Sequence, residues 1–88
     1  MTFRIELTKS AAKELRNIPK SAQKRIARKI DALNENPPDP MQTKMKGSNP
    51  FHRVRVGDYR IVYEIQDDIL LILIIKIGHR KDIYKHLP

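Results

Sequence analysis

A β-hairpin is encoded by residues 51–65, which read FHRVRVGDYRIVYEI. Apolar and polar residues alternate on both sides of Gly57-Asp58, and this alternation is typical of strands that bury one face. A glycine followed by one further turn residue is the signal for a two-residue type II′ turn. Because a two-residue loop fixes how the strands pair, we predict that Arg55 lies opposite Arg60.

This register divides the side chains of the hairpin between an apolar face and a basic face. The apolar face carries four residues: Val54, Val56, Tyr59 and Ile61. The basic face carries three: Arg53, Arg55 and Arg60. Arginines opposite each other repel, and Glu64 is the only acidic residue in these two strands. The basic face is a candidate anion site, because one guanidinium group can donate two parallel hydrogen bonds to two oxygens of a phosphate. A solvated outer face that prevents edge pairing is the other interpretation.

A third strand is predicted from Ile69 to Ile77, because this segment is nearly all apolar and follows a turn at Asp67-Asp68. The strand runs back antiparallel to the hairpin, so its end at Gly78 should lie beside Arg60. The residues that follow are therefore expected near the three arginines: His79, Arg80 and Tyr84. A histidine and a phenol beside arginines can move protons and stabilise charge. A structural role for the histidine stays open.

The first half of the chain predicts one strand and two helices. Residues 2–7 alternate like a half-buried strand, and Thr8 can cap the helix that follows. Pro19 breaks the first helix and suits the first turn of a second one, which ends before the proline-rich loop at 37–50. We predict a single α+β domain, residues 1–88, with an N-terminal strand and a two-helix hairpin packed on one face of an antiparallel meander. The other face is expected to be open.

The second helix and the loop after it are strongly basic. Their cations are Lys20, Lys24, Arg25, Arg28, Lys29, Lys44 and Lys46. The chain has 18 Lys and Arg against 10 Asp and Glu, a formal net charge of +8. Such an excess attracts polyanions over long distances, so we expect these cations to contact RNA. A merely solvated helix surface is the alternative.

Several other chemistries have no support in the composition. The chain has no cysteine and only three scattered histidines, and no carboxylate cluster lies near the arginines, so we expect neither a metal nor another cofactor. The longest apolar run has seven residues, against the roughly 20 that a membrane crossing needs. The first residues lack a signal-peptide core. We therefore expect a cytoplasmic protein with no membrane partner.

The order and spacing of these segments resemble the RelE/ParE superfamily of bacterial and archaeal toxins, specifically its RelE-type mRNA endonucleases. The resemblance covers essentially the whole chain and is strongest at 44–47 (KMKG), 51–56 (FHRVRV), 59–63 (YRIVY), 77–80 (IGHR) and Tyr84. It implies a sheet akin to the microbial ribonuclease fold, with two helices on one face. It also implies an enzyme that cuts mRNA in the ribosomal A site, and an antitoxin whose extended segment wraps and blocks the toxin.

The resemblance further implies roles for individual residues. Arg60 matches the arginine that stabilises the scissile phosphate, and Arg80 matches the one that supports the transition state and the leaving group. Tyr84 matches a tyrosine that orients the substrate or stacks on it.

The sequence departs from the family pattern in the first strand of the hairpin. Arg53 and Arg55 stand where the best-known members have two lysines, and an arginine does not give up its proton in practice. Proton transfer would then pass to His79, because histidine exchanges protons near neutral pH, or else to Tyr84.

Two further functions stay open at this stage. A ParE-like inhibitor of DNA gyrase would share the fold without cutting RNA, and a basic binding domain would act only through its contacts. ParE-like proteins often lack the arginine and tyrosine of the C-terminal tail, so Arg80 and Tyr84 favour the ribonuclease.

Overall fold

The secondary structure follows the predicted order of one strand, two helices and three strands. The structure, a computed structural model, describes residues 3–35, 45 and 50–81, and the predictions for Lys44, Lys46 and Tyr84 lie outside the described residues. The elements are β1 (Arg4–Leu7), α1 (Lys9–Asn17), α2 (Lys20–Glu35), β2 (Phe51–Val56), β3 (Tyr59–Gln66) and β4 (Leu71–His79). In this part of the chain, no helix combines the length and the apolarity that a membrane crossing demands.

The four strands form one mixed sheet in the order β1-β4-β3-β2. β2 and β3 are antiparallel, and Arg55 lies opposite Arg60 as predicted. β4 is antiparallel to β3, whereas β1 runs parallel to β4 and places Leu7 beside Ile74. Because β4 has a strand on each side, it occupies the interior of the sheet, where a nearly continuous apolar run is typical.

The turn between β2 and β3 has the predicted two-residue form. Gly57 has a φ of 59°, in the left-handed region that glycine enters without the steric cost of a Cβ. Among the described residues, the only other positive φ belongs to Leu70, so Asp58 has a negative φ. A positive φ followed by a negative one is the pattern of a type II′ turn.

β4 starts and ends two residues later than predicted, at Leu71 and His79. The delay arises because Asp67–Ile69 forms a 3₁₀ turn, which Leu70 closes in the left-handed conformation. This conformation costs a non-glycine residue about 1–2 kcal/mol. The continuous apolar run gave no period from which this strand boundary could be read.

The helices cover one face of the sheet and form the main core with it. The residues at its centre are Ala11, Ile26, Ile30, Leu33, Ile61, Tyr63, Ile72, Ile74 and Ile77. The predicted apolar face of the hairpin packs against this cluster. His52 is buried and stacks on Tyr63, the residue opposite it on β3, with 5.6 Å between the ring centroids. Each buried aliphatic side chain contributes about 1.5–3 kcal/mol.

The second face of the sheet is not fully open, contrary to our prediction. Phe51 and Val62 are buried on this face, and Met45 and Ile75 pack against them. Met45 also donates its backbone N–H to the carbonyl of Phe51 at 2.9 Å. The loop that contains Met45 has no hydrophobic period, so its position could not be read from sequence. Two arginines of the hairpin, Arg55 and Arg60, therefore lie between this apolar patch and the hairpin turn.

Thr8 joins the start of α1 to the edge of β4. Its hydroxyl oxygen accepts a hydrogen bond from the N–H of Ala11 at 3.1 Å, which is the predicted N-cap. The same hydroxyl donates to the carbonyl of Ile75 at 3.1 Å. One side chain thereby satisfies a free helix donor and a carbonyl of the strand.

Glu14 binds β4 on the same side as Thr8, beyond the last residue that pairs with β1. One carboxylate oxygen accepts the backbone N–H of Ile77 at 3.1 Å, and the other pairs with Lys76 at 2.9 Å. α1 thus takes the place of a neighbouring strand at a position that β1 does not reach.

We predict that Thr8→Ala lowers the free energy of unfolding by about 1–2 kcal/mol, because both hydroxyl hydrogen bonds are lost. Urea denaturation provides the measurement. Thr8→Ser is the matched control and should stay close to the parent, since it retains the hydroxyl. Equal destabilisation by the two substitutions would contradict this account of the cap.

Candidate nucleic-acid interface

Arg60 lies directly after the hairpin turn and folds back onto it. Its Nη1 donates to the carbonyl oxygens of Gly57 at 3.2 Å and Tyr59 at 3.0 Å. These bonds hold the guanidinium at the end of the sheet. Among the described residues, no other group binds its N–H donors, so they can serve an incoming anion.

Arg80 reaches the other residue of the turn. Its backbone N–H donates to the carbonyl of Asp58 at 2.8 Å, and its Nε lies 4.0 Å from Oδ1 of the same residue. Both side chains are more than half exposed, so the pair contributes at most about 1 kcal/mol. The sequence placed Asp58 in the turn, and the structure adds that its carboxylate faces Arg80.

Arg53 and Arg55 are exposed on the predicted face of β2. Arg55 lies directly opposite Arg60, whereas Arg53 lies opposite the buried Val62, two residues farther from the turn. Arg55 is therefore the β2 arginine that belongs to the turn end of the sheet, and Arg53 lies at the border of the apolar patch.

His79 lies near the arginines along the backbone, but its ring is on the other side of the sheet. It pairs with Tyr59, and the two rings meet edge to face with 5.9 Å between centroids. Gly78 is the residue opposite Arg60, so strand alternation turns His79 toward the helix-covered face. The prediction that its side chain joins the three arginines is therefore wrong.

The hydrogen bonding of His79 limits its chemistry in this conformation. Its Nδ1 accepts the backbone N–H of Lys81 at 3.2 Å. With that lone pair engaged, the neutral ring carries its proton on Nε2 and has no free acceptor. His79 could take a proton only after releasing Lys81, and its role in proton transfer stays a prediction.

The basic residues of α2 do not all lie in one environment. Four are exposed and one is half-buried: Lys20, Lys24, Arg25 and Arg28, and then Lys29. The guanidinium of Arg25 lies against the hairpin turn, where a Cβ on Gly57 would be 3.3 Å from its Nη1. Sequence reasoning missed this contact, because no periodic pattern reports how a helix docks on a distant turn.

One end of the sheet thus gathers arginines from β2, β3, α2 and the segment after β4, together with one carboxylate. Such a concentration of guanidinium groups attracts phosphate and can bind its oxygens in pairs. Within residues 3–35, 45 and 50–81, no group of three or more His, Cys, Asp or Glu side chains could hold a metal ion.

The fold and this site define a small basic α+β protein with a cluster of arginines at one end of its sheet. The chain belongs to the RelE/ParE toxin superfamily: residues 5–84 match the family model described as the ParE toxin of type II toxin–antitoxin systems. Two toxins of Methanocaldococcus jannaschii are similar over almost their whole length. RelE1 is 34% identical over 98% of this chain and 99% of its own, and RelE3 is 33% identical over 98% and 100%.

Solved structures of RelE proteins share the fold. The RelB–RelE complex of Methanococcus jannaschii matches with 32% identity and a TM-score of 0.71, over 93% of this chain and 98% of the other. The archaeal RelE–RelB complex of Pyrococcus horikoshii matches with 28% identity and a TM-score of 0.74, over 91% and 97%. The isolated RelE toxin of E. coli, at 21% identity, has a TM-score of 0.77 over 90% and 84%.

We predict that Arg60→Ala and Arg80→Ala each suppress the growth arrest caused by the toxin without unfolding it. Loss of one preorganised charge donor costs about 3–4 kcal/mol in a transition state, or two to three decades of rate. The free energy of unfolding should change by about 0.5 kcal/mol for the exposed Arg80. For the half-buried Arg60, which loses two hydrogen bonds to backbone carbonyls, the change should be about 1 kcal/mol.

Growth after induction and thermal denaturation are the two measurements. Arg16→Ala is the control, because it removes an exposed arginine from the last turn of α1. Unimpaired growth arrest by the Arg60 and Arg80 double variant would rule out this site assignment.

Proposed function

We propose that this chain is the toxin of a type II toxin–antitoxin system and acts as an endoribonuclease on mRNA in the ribosomal A site. A single domain, residues 1–88, carries the activity in the cytoplasm and requires no metal. The observation that carries the proposal is the convergence of Arg55, Arg60 and Arg80 on the hairpin turn of a chain from this family.

The reaction that suits such a site is attack by the 2′-hydroxyl of RNA on the adjacent phosphorus. The bond from the 2′-oxygen to phosphorus forms and the bond from phosphorus to the 5′-oxygen breaks. The products are a 2′,3′-cyclic phosphate and a 5′-hydroxyl. The nucleophile already belongs to the substrate, so little entropy is lost in bringing it to the phosphorus.

The arginines stabilise the charge that develops during this step. Arg60 faces the non-bridging phosphate oxygens, and Arg80 supports the departing 5′-oxygen. Arg55 and Arg53 add positive charge along β2 and hold the neighbouring RNA backbone. Electrostatic stabilisation by donors that are already in place is commonly the largest single contribution to such a rate.

One proton must leave the 2′-oxygen and one must reach the 5′-oxygen. Arginine does not fill either role at neutral pH, so we assign these transfers to His79 and Tyr84. His79 can contribute only if its ring turns away from Tyr59 and its Nδ1 releases the N–H of Lys81.

The partners follow from charge and from the relatives. The cations of α2 and of the loop, with Lys44 and Lys46, are proposed to contact ribosomal RNA. Relatives of this chain have been solved as complexes of RelE with RelB, and this supports a cognate antitoxin here. We propose that an acidic or amphipathic segment of the antitoxin wraps the helices and the arginine end of the sheet.

Inhibition of DNA gyrase is the second candidate function. The matching family model carries the ParE name, and this is the observation in its favour. The arginines at the hairpin turn, which we call the turn site (Arg55, Arg60 and Arg80), favour the ribonuclease. The RelE names of the curated relatives favour it as well. The family model alone does not separate the two functions.

A translating extract with purified protein should separate them. We predict mRNA 5′ ends at A-site codons after addition of the wild-type protein, and none after addition of the Arg60→Ala and Arg80→Ala double variant. Mapping of mRNA ends and a supercoiling assay are run on the same extract. Intact mRNA together with defective supercoiling would contradict the ribonuclease and support the gyrase inhibitor.

A further inference from the structure

Arg25 stands apart from the other cations of α2 because its guanidinium covers the hairpin turn. A Cβ built on Gly57 would lie 3.3, 3.7 and 3.8 Å from Nη1, Nη2 and Cζ of Arg25. All three atoms lie within van der Waals contact distance of that position, so the nitrogen end of the guanidinium borders the glycine. Gly57 supplies the positive φ that the turn requires, and the absence of a Cβ leaves room for the guanidinium of Arg25 beside it.

The same two-residue turn is contacted by two other arginines. Arg60 donates to the carbonyl of Gly57, and the backbone and side chain of Arg80 reach Asp58. Arg25, Arg60 and Arg80 come from α2, β3 and the segment after β4, so the tertiary fold alone brings them together.

The charges at this turn are not balanced within the described part of the chain. Asp58 faces Arg80 at 4.0 Å, and no ion pair there involves Arg25 or Arg60. Like charges that contact the same two-residue turn oppose each other, and a bound anion would relieve the repulsion. Arg25 approaches from the helix side of the sheet and Arg60 from the opposite side.

We propose that Arg25 is a substrate-binding residue of the turn site, and that it holds a phosphodiester group of RNA against the hairpin turn together with Arg60 and Arg80. The remaining cations of α2 supply general attraction, whereas Arg25 makes a defined contact. This inference rests on the proposed function and deepens it, because it adds a helix residue to the site that binds RNA.

The test is an NMR titration of the arginine Nε–H resonances of the intact protein. The probe is a dinucleoside monophosphate whose 2′-oxygen is methylated, so that it binds but cannot be cut. We expect the resonances of Arg25, Arg60 and Arg80 to shift together with one dissociation constant. The resonance of Arg16, an exposed arginine of α1, should not follow them.

Substitutions supply the quantitative part of the test. Arg25→Ala should weaken probe binding roughly 10- to 100-fold, the range for a hydrogen bond to a charged group. Arg25→Lys keeps the charge but loses the planar fork, so it should also bind more weakly than the parent. Arg16→Ala removes the same charge elsewhere and should leave binding within about twofold. Thermal denaturation of each variant reports whether the fold is intact.

Two outcomes would overturn the proposal. One is an Arg25 resonance that stays in place while those of Arg60 and Arg80 reach saturation. The other is equal probe affinity of folded Arg25→Ala and Arg16→Ala.

The failure of the proposed function would look different. If the resonances of the three arginines shift together but no mRNA is cut in the translating extract, the RNA-binding role of Arg25 is supported and the ribonuclease is contradicted. If mRNA is cut and the Arg25 resonance does not shift, the ribonuclease is supported and the proposed role of Arg25 is contradicted.

Discussion

The hairpin turn at Gly57-Asp58 is the constraint on which both the core and the site depend. Its two-residue length pairs Val54 with Ile61 and Arg55 with Arg60. A slip by one residue would exchange the two faces of a strand, exposing core side chains and burying arginines. Burial of an unpaired charge is far more costly than the loss of any one apolar contact. Burial of the apolar side chains of the hairpin therefore fixes the strand register, and the register fixes the positions of Arg55 and Arg60.

The local parts of the structure could be predicted from sequence because each is encoded by neighbouring residues. Alternation gave the strands of the hairpin, and the glycine gave the turn type and hence the register. Thr8 indicated the start of α1, and Pro19 indicated the break between the helices.

The errors and omissions fall where distant segments meet. The position of Met45 over the sheet, the contact of Arg25 with the turn and the approach of Asp58 to Arg80 all depend on tertiary packing that no local pattern reports. The side occupied by His79 is different, because the register already placed Gly78 opposite Arg60 and alternation was sufficient to find it. The limits of β4 were missed because a left-handed Leu70 has no sequence signature of its own.

The side chains at the hairpin turn are suited to binding negative charge, and less suited to giving or taking protons. Arginine holds its proton at neutral pH, so Arg55, Arg60 and Arg80 can bind and stabilise phosphate but cannot activate a nucleophile by removing its proton. A substrate that carries its own nucleophile next to the phosphorus fits such a site. RNA does so through its 2′-hydroxyl and DNA does not, and this chemical difference is the reason that we propose a ribonuclease.

The most direct measurement is therefore a cleavage assay on ribosome-bound mRNA in which one 2′-hydroxyl, immediately upstream of the cut, is replaced by hydrogen. The account predicts that this single change stops cleavage while the toxin still binds the complex, and that the unmodified RNA gives a 2′,3′-cyclic phosphate and a 5′-hydroxyl. Normal cutting of the deoxy substrate, or products ending in a 3′-hydroxyl and a 5′-phosphate, would contradict it.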